Sequence, residues 1–276
     1  MRTESVMNVG PVADVADWIP LAARIGYAAK GVVYTLIGLF AARAAVGIGG
    51  GVESSEGVLV TILHQPFGRI LLAVMALGLA CYAFWRFVQA IKNPEGSGDG
   101  DLQEWFQRAY ALGSGLLHTS LVLGAVGLVV GSGGPGGSST ESKTAELMSQ
   151  PFGRWLVGGV GLVVLTIAIR QFYRAYKASF RKKMRLHEMS AKARTWFERT
   201  ARWALTARGL VFSVIGGLLV MAALKVDPSQ AAGFKEAMRT LESAAYGVYL
   251  FGFTAFGLLF YGLFQFAKAK YRTIQA

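Results

Sequence analysis

Long apolar stretches opened by a basic residue and Gly alternate along this chain with polar loops and with second apolar stretches that end in aromatic and basic side chains. The pair occurs three times. The second stretch opens on Gln65-Pro66-Phe67-Gly68-Arg69, which returns unchanged as Gln150-Pro151-Phe152-Gly153-Arg154. The third copy keeps only the outline, with Ala245-Tyr246-Gly247 in place of Pro-Phe-Gly, yet Gly78, Tyr82 and Phe87 still correspond to Gly257, Tyr261 and Phe266. In the first stretches, Arg24, Gly31 and Thr35 align with Arg108, Gly115 and Thr119, and then with Arg202, Gly209 and Ser213. Self-similarity at one internal spacing marks a repeat architecture. The division it gives is an N-terminal segment 1–23, repeat 1 at 24–100, repeat 2 at 101–180, a basic connection 181–201 and repeat 3 at 202–276.

Six stretches are nearly free of charge, at 31–45, 70–85, 109–131, 155–169, 209–224 and 243–267. Several are shorter than the roughly 18 to 25 apolar residues that usually span a bilayer, but Lys30, Arg43, Arg69 and Arg170 can lay their aliphatic stems along the membrane and reach the headgroups. Soluble helices of this length would show a charged face at period 3.6. Barrel strands would alternate in polarity over roughly 10 residues. The pattern therefore predicts an all-α membrane protein, with six transmembrane helices as three parallel two-helix repeats arranged with pseudo-threefold symmetry. Composition agrees: 53% of residues are apolar and 16% charged, with a mean hydropathy of +0.42, too apolar for an ordinary soluble domain.

Small residues recur on one face of the first helix in each unit: Gly31, Thr35 and Gly38, then Gly115 and Thr119, then Gly209, Ser213 and Gly216. Close helix packing is the expectation, with the hydroxyls bonding back to a carbonyl or across to a neighbour. Segments 53–64, 141–149 and 233–242 mix charges with apolar residues just before each second helix, as short helices on a membrane surface would. Pro66 and Pro151 suit the first turn of the helix that follows. The stretch 131–139, GSGGPGGSS, reads as a tether.

Charge then orients the bundle. Of 28 Lys and Arg, 21 fall on the side that holds both termini; the other seven are Arg43, Arg69, Lys143, Arg154, Lys225, Lys235 and Arg239. The positive-inside rule places both termini of a multi-pass membrane protein in the cytoplasm. Five of the six Trp fall near that same face. No cleavable signal peptide is expected, because Asp14, Asp17 and Pro20 interrupt the N-terminal segment. Cys81 lies within a predicted helix and reads as packing.

The basic connection is the most prominent polar feature. Arg181, Lys182, Lys183 and Arg185 are followed by Lys192, Arg194, Trp196 and Arg199, a pattern that resembles an amphipathic interfacial helix suited to anionic lipids or a membrane-protein partner. Simple topology control would also explain it. Nucleic acid is not an expected partner, since orientation accounts for the charge and no binding motif accompanies it.

Candidate chemistry is sparse. His64, His118 and His187 fall at different expected depths, so neither a haem nor a zinc set is visible, and no cofactor or metal is expected. Asp99, Asp101 and Glu104 fit a hydrated connection without acid-base work. No phosphate-binding Gly loop with Lys-Ser or Lys-Thr occurs.

The triplicated helix pair, the repeated QPFGR opening and the aromatic-basic endings together resemble a bacterial membrane-protein family, domain-of-unknown-function family 1206, over about Arg24 to Arg272. The resemblance implies the six-helix bundle and no reaction or ligand. Units with an even number of spans enter from one side, so the repeats are parallel. If the first helices line the centre, Arg24, Arg108 and Arg202 would converge at the cytoplasmic mouth, with Thr35, Thr119 and Ser213 deeper. The leading expectation is a non-enzymatic membrane protein that binds lipid or a membrane partner; the alternative is a channel or carrier for a small anion that uses the Arg trio.

Overall fold

The computed structural model describes residues 12–48, 52–94, 102–132 and 140–274. Its long helices are α1 (Val12–Ala45), α3 (Gly68–Lys92), α4 (Leu102–Val130), α6 (Gly153–Lys177), α7 (Ala191–Lys225) and α9 (Gly247–Tyr271). Three short ones, α2 (Ser55–Leu63), α5 (Thr140–Met148) and α8 (Phe234–Ser243), precede the second helix of each repeat, as the mixed segments predict. All six long helices are long and apolar enough to cross a membrane. The second helices are each 25 residues, or about 37 Å at 1.5 Å per residue, which exceeds a hydrocarbon core of roughly 30 Å. The charge-free stretches look short because helix continues beyond them into basic, snorkelling ends.

The bundle is a ring left open at one place, in which each second helix packs most closely on the first helix of the next repeat: α3 on α4, α6 on α7, and α9 back on α1. One contact recurs at every junction. Phe87 lies over Gly115, Phe172 over Gly209 and Phe266 over Gly31, so that a Cβ on the glycine would stand 3.0, 2.9 and 3.0 Å from the ring. The recurring small residues thus admit one phenyl each. At α1–α9 the approach is closer still, since a Cβ on Gly38 would stand 2.2 Å from the Leu259 nitrogen. Thr119 and Ser213 donate back to the carbonyls of Gly115 and Gly209, both at 3.0 Å, while Thr35 packs against Gly262.

Contacts within a repeat are unequal. In the first, Gly78 of α3 admits Ala29 of α1; in the third, Gly257 of α9 admits Ala207 of α7, with hypothetical Cβ atoms 2.5 and 2.2 Å from the alanine methyls. The equivalent pair in the second is Gly113 and Val163. Here the residue on the second helix is branched and bulky. Among the described residues α4 and α6 scarcely touch, a Cβ on Gly113 would meet nothing within 4 Å, and Val163 is exposed. Only 17% and 22% of the apolar windows of α4 and α6 are buried, against 44–56% for the other four.

Each short helix leads into its long partner through the same turn. Gly68, Gly153 and Gly247 donate to the carbonyls of Gln65, Gln150 and Ala244 at 2.8, 2.9 and 2.8 Å, and the residue before each glycine is left-handed: Phe67 (φ 59°), Phe152 (φ 62°) and Tyr246 (φ 63°). This is the third position of a type II turn. A Cβ on any of the three glycines would come within 2.1 Å of a backbone carbonyl. Pro66 and Pro151 therefore sit at the second turn position, two residues before the helix, rather than in its first turn. The third repeat makes the same turn without proline. The three aromatics point away from the protein, each about 80% exposed.

An apolar core fills the half of the bundle next to these turns. Val33, Ile37, Leu72, Leu79, Val211, Phe251 and Leu258 meet Val58, Leu59 and Ile62 of α2 and Ala237, Met238 and Leu241 of α8. On α8 the buried residues recur at helical spacing opposite Lys235, Glu236 and Arg239. Ser54 caps α2 by accepting from the Gly57 amide at 3.2 Å. Two of the short helices thus plug this end of the bundle.

The basic connection departs from its expected form. Residues 191–201 are the first turns of the 35-residue α7, because nothing between Ala191 and Arg208 is a glycine or proline that would end a helix. Residues 179–188 form two 3-10 turns instead of an amphipathic helix. They are tied to the chain end: Met184 bridges Arg272, the Arg185 amide donates to Tyr271 at 2.8 Å, the Thr273 amide to Lys183 at 3.1 Å, and the Arg185 guanidinium to the Lys270 carbonyl at 2.8 Å.

Candidate functional site

A cavity of about 930 Å³ occupies the opposite, basic half of the bundle. Its walls follow from helical spacing on the second helices, which turn one face inward at intervals of three and four residues. These faces are Tyr82, Arg86 and Gln89 on α3, then Ile167, Arg170, Gln171 and Arg174 on α6, then Tyr261, Phe264 and Lys268 on α9, with Arg272 just beyond. The first helices add Tyr27, Tyr110 and Arg208, and Lys182 and Lys183 stand at the mouth. Across the repeats, Arg86 is equivalent to Gln171 and Gln265, and Gln89 to Arg174 and Lys268. Each layer mixes amides with cations.

Eight Lys and Arg line this chamber, and among the described residues no Asp or Glu does. Neutral groups hold Arg86, Arg208 and Lys268. Arg86 donates to Gln89 Oε1 at 2.5 Å and to the Tyr110 carbonyl at 3.2 Å. Arg208 bonds to the Tyr261 hydroxyl and lies 4.7 Å from that ring and from Phe212. Gln265 links Lys268, at 3.0 Å, to the Tyr261 hydroxyl, at 3.2 Å, and Lys268 stands 4.3 Å from the Tyr27 ring centre. Lys30, one layer deeper and 2% exposed, donates to the Tyr82 hydroxyl at 3.0 Å. Aromatic faces stabilise desolvated cations by about 2 kcal/mol, but they supply no countercharge. Arg86 Nε, Arg208 Nε and Gln171 Oε1 are buried without a protein partner among the described residues.

The described ion pairs lie elsewhere: Arg181 with Glu198 at 3.2 Å, Arg194 with Glu198 at 3.3 Å and Arg185 with Glu188 at 2.6 Å. Of the candidate residues in the basic connection, the structure brings Lys182 and Lys183 alone to the chamber. Lys192, Arg194, Trp196 and Arg199 are exposed along the start of α7, with the Trp196 ring against Phe260.

Nor do the three equivalent arginines converge. Arg24 is half-buried, Arg202 is exposed, and Arg108 donates to the carbonyls of Ala90 and Ile91 at the end of α3. None lines the chamber. Thr35, Thr119 and Ser213 are also outside its walls, engaged in helix packing as described above. His118 bonds through Nδ1 to the Ser114 carbonyl at 2.7 Å and lies against Tyr82, 4.5 Å between ring centres, while His64 and His187 are exposed. Asp99 and Asp101 lie outside the described residues; Glu104 is buried at the start of α4.

Sequence reasoning found Lys182 and Lys183 but missed the chamber cations on the long helices, because they do not repeat. Lys30 corresponds to Ser114 and Arg208, so the identical Arg24, Arg108 and Arg202 drew attention instead. A usable signal was present: Arg86, Arg174 and Lys268 each fall at an inward-facing position of a second helix, in register with Tyr82, Ile167 and Tyr261.

Three helix pairs arranged around a chamber, with charge buried at one end and a plug at the other, define a triplicated polytopic membrane protein. The chain belongs to the family described as Domain of Unknown Function (DUF1206), which matches it three times, at 25–93, 109–178 and 203–272. It is also similar to the "Uncharacterized protein YxxB" of Bacillus subtilis (strain 168), at 33% identity over 259 residues, covering 94% of this chain and 93% of that one. No solved structure matches it.

Proposed function

We propose that this protein is a non-enzymatic binding protein of the bacterial inner membrane, whose chamber holds the phosphate-bearing group of an anionic ligand. One observation carries the reading: cations from several helices converge on a single cavity that no described carboxylate enters. Two like charges about 8 Å apart repel by roughly 2 kcal/mol at an effective dielectric of about 20. A bound anion turns that repulsion into attraction. Guanidinium forks match phosphate oxygens in pairs, and the hydroxyls of Tyr82, Tyr110 and Tyr261 are further donors on the same walls. With 21 of 28 Lys and Arg on this side, the positive-inside rule turns the chamber and both termini to the cytoplasm.

Binding is favoured over conduction because the apolar core and the plugs α2 and α8 occupy the other half of the bundle. The role first expected of the basic connection narrows to Lys182 and Lys183 at the mouth.

The test is pyrophosphate binding by calorimetry to protein in nanodiscs of zwitterionic lipid. Arg86→Gln with Arg174→Gln should weaken binding by at least about tenfold, whereas the exposed pair Arg194→Gln with Arg199→Gln should leave it unchanged. Equal losses in the two variants, or none in the first, would remove the chamber from consideration. Phosphate flux into proteoliposomes that needs Arg24, Arg108 and Arg202 would favour a carrier instead.

A further inference from the structure

Among the described residues, neighbouring helices around the chamber pack closely except α4 and α6, which meet at its wall only through Arg170, 5.7 Å from the Tyr110 ring centre, and that gap is written into the sequence. Repeats 1 and 3 close their helix pairs with an alanine against a glycine, Ala29 on Gly78 and Ala207 on Gly257. Repeat 2 has Gly113 and Val163 at these places, so a side chain that holds the helices apart replaces the glycine that lets them meet. The same repeat also lacks the first-helix cation, having Ser114 where the others have Lys30 and Arg208. Tyr173 of α6 is equivalent to Val88, which α1 buries in repeat 1, yet Tyr173 lines the chamber and is exposed, so the cavity is uncovered on the side of α4. Beyond it the cleft is flanked by exposed Leu117 and Ile169.

We propose that the cleft between α4 and α6 is a side entrance from the membrane. The ligand would be an amphiphile with a phosphate-bearing head, which enters the chamber laterally while its acyl chains stay against Leu117 and Val163. This rests on the anion-binding reading and adds the source of the anion, the bilayer itself. A free phosphate shares the head chemistry but has no need of an apolar slot. The asymmetry is informative because a ring built only to enclose a soluble anion from the basic end could close all three pairs alike.

The probes are pyrophosphate, which carries the charge without chains, and dioleoyl phosphatidic acid in nanodiscs otherwise made of phosphatidylcholine. The wild-type protein should bind both. Val163→Gly with Gly113→Ala rewrites the second pair as the first and third, and should weaken phosphatidic acid binding by at least about tenfold while pyrophosphate binding stays within about twofold. Gly113→Trp, which fills the cleft from a position with open space around it, should act the same way, and retained pyrophosphate binding certifies the fold of either variant. Phosphatidic acid bound equally by wild type and both variants overturns the entrance. So does loss of both probes together in both variants, since the cleft would then be no separate route. Wild-type protein that binds pyrophosphate but no phosphatidic acid overturns the entrance and leaves the chamber standing; if it binds neither, the chamber falls too.

Discussion

Replacing Gly38 with alanine tests whether backbone contact, rather than apolar composition, joins α1 to α9. The added methyl would stand 2.2 Å from the Leu259 nitrogen and 2.5 Å from its Cα, both backbone atoms that no rotamer change can move. To reach ordinary contact α1 and α9 must separate locally by about 1 Å, and a gap of that size forfeits a quarter to a half of each dispersion contact it opens. Alanine returns about 1 kcal/mol through its better helix propensity. The net expectation is a loss of about 1–3 kcal/mol, in the range of overpacked cores. Gly113→Ala is the internal reference: it gains the same propensity, meets nothing within 4 Å, and should be neutral or stabilising by up to about 1 kcal/mol. Both are measured by reversible unfolding in mixed micelles, with SDS as denaturant. If the two variants unfold within about 0.5 kcal/mol of each other, tight α1–α9 packing is not what holds the ring.

Three further outcomes follow from local geometry. Val226 ends α7 in a left-handed conformation, φ 55°, which a β-branched residue adopts only under strain, so Val226→Gly should raise stability by about 1 kcal/mol in the same assay. Ala245 occupies the turn position held by Pro66 and Pro151, after an extended Ala244 (φ −71°, ψ 163°), and Ala245→Pro should stabilise by about 0.4–1 kcal/mol by restricting the unfolded chain. Arg185→Ala removes the bonds to Glu188 and the Lys270 carbonyl, and should increase amide exchange across 179–188 while leaving α9 protected, as read by hydrogen-exchange mass spectrometry.

Much of the architecture was legible in residue patterns because packing constrains every copy of a repeat in the same way. Gly31, Gly115 and Gly209 must each accept a phenyl, so they recur and predict the contact. The aromatic-glycine turns persist even where Pro-Phe-Gly becomes Ala-Tyr-Gly, since the turn needs an αL residue followed by a glycine more than it needs proline. The chamber was not legible by that route. Its cations differ between copies, and a search for identical residues selects arginines that sit at helix edges, where Arg108 covers open carbonyls. Counting Lys30, Arg86, Arg174 and Arg208 toward orientation also concealed that they lie within helices. The unfilled α4–α6 contact was visible in Val163 and Gly113, but only once Gly78 and Gly257 were known to touch Ala29 and Ala207.

Joining α9 to α1 has a consequence for synthesis. The glycine face of the first span finds its matching surface only when the final span has left the ribosome, so the two ends of the polypeptide must wait through nearly the whole of translation before they meet. Until then Gly31 and Gly38 face lipid or a provisional neighbour, and a nascent chain that stops short of Gly247 holds two unjoined groups, α1 with α3 and α4, and α6 with α7.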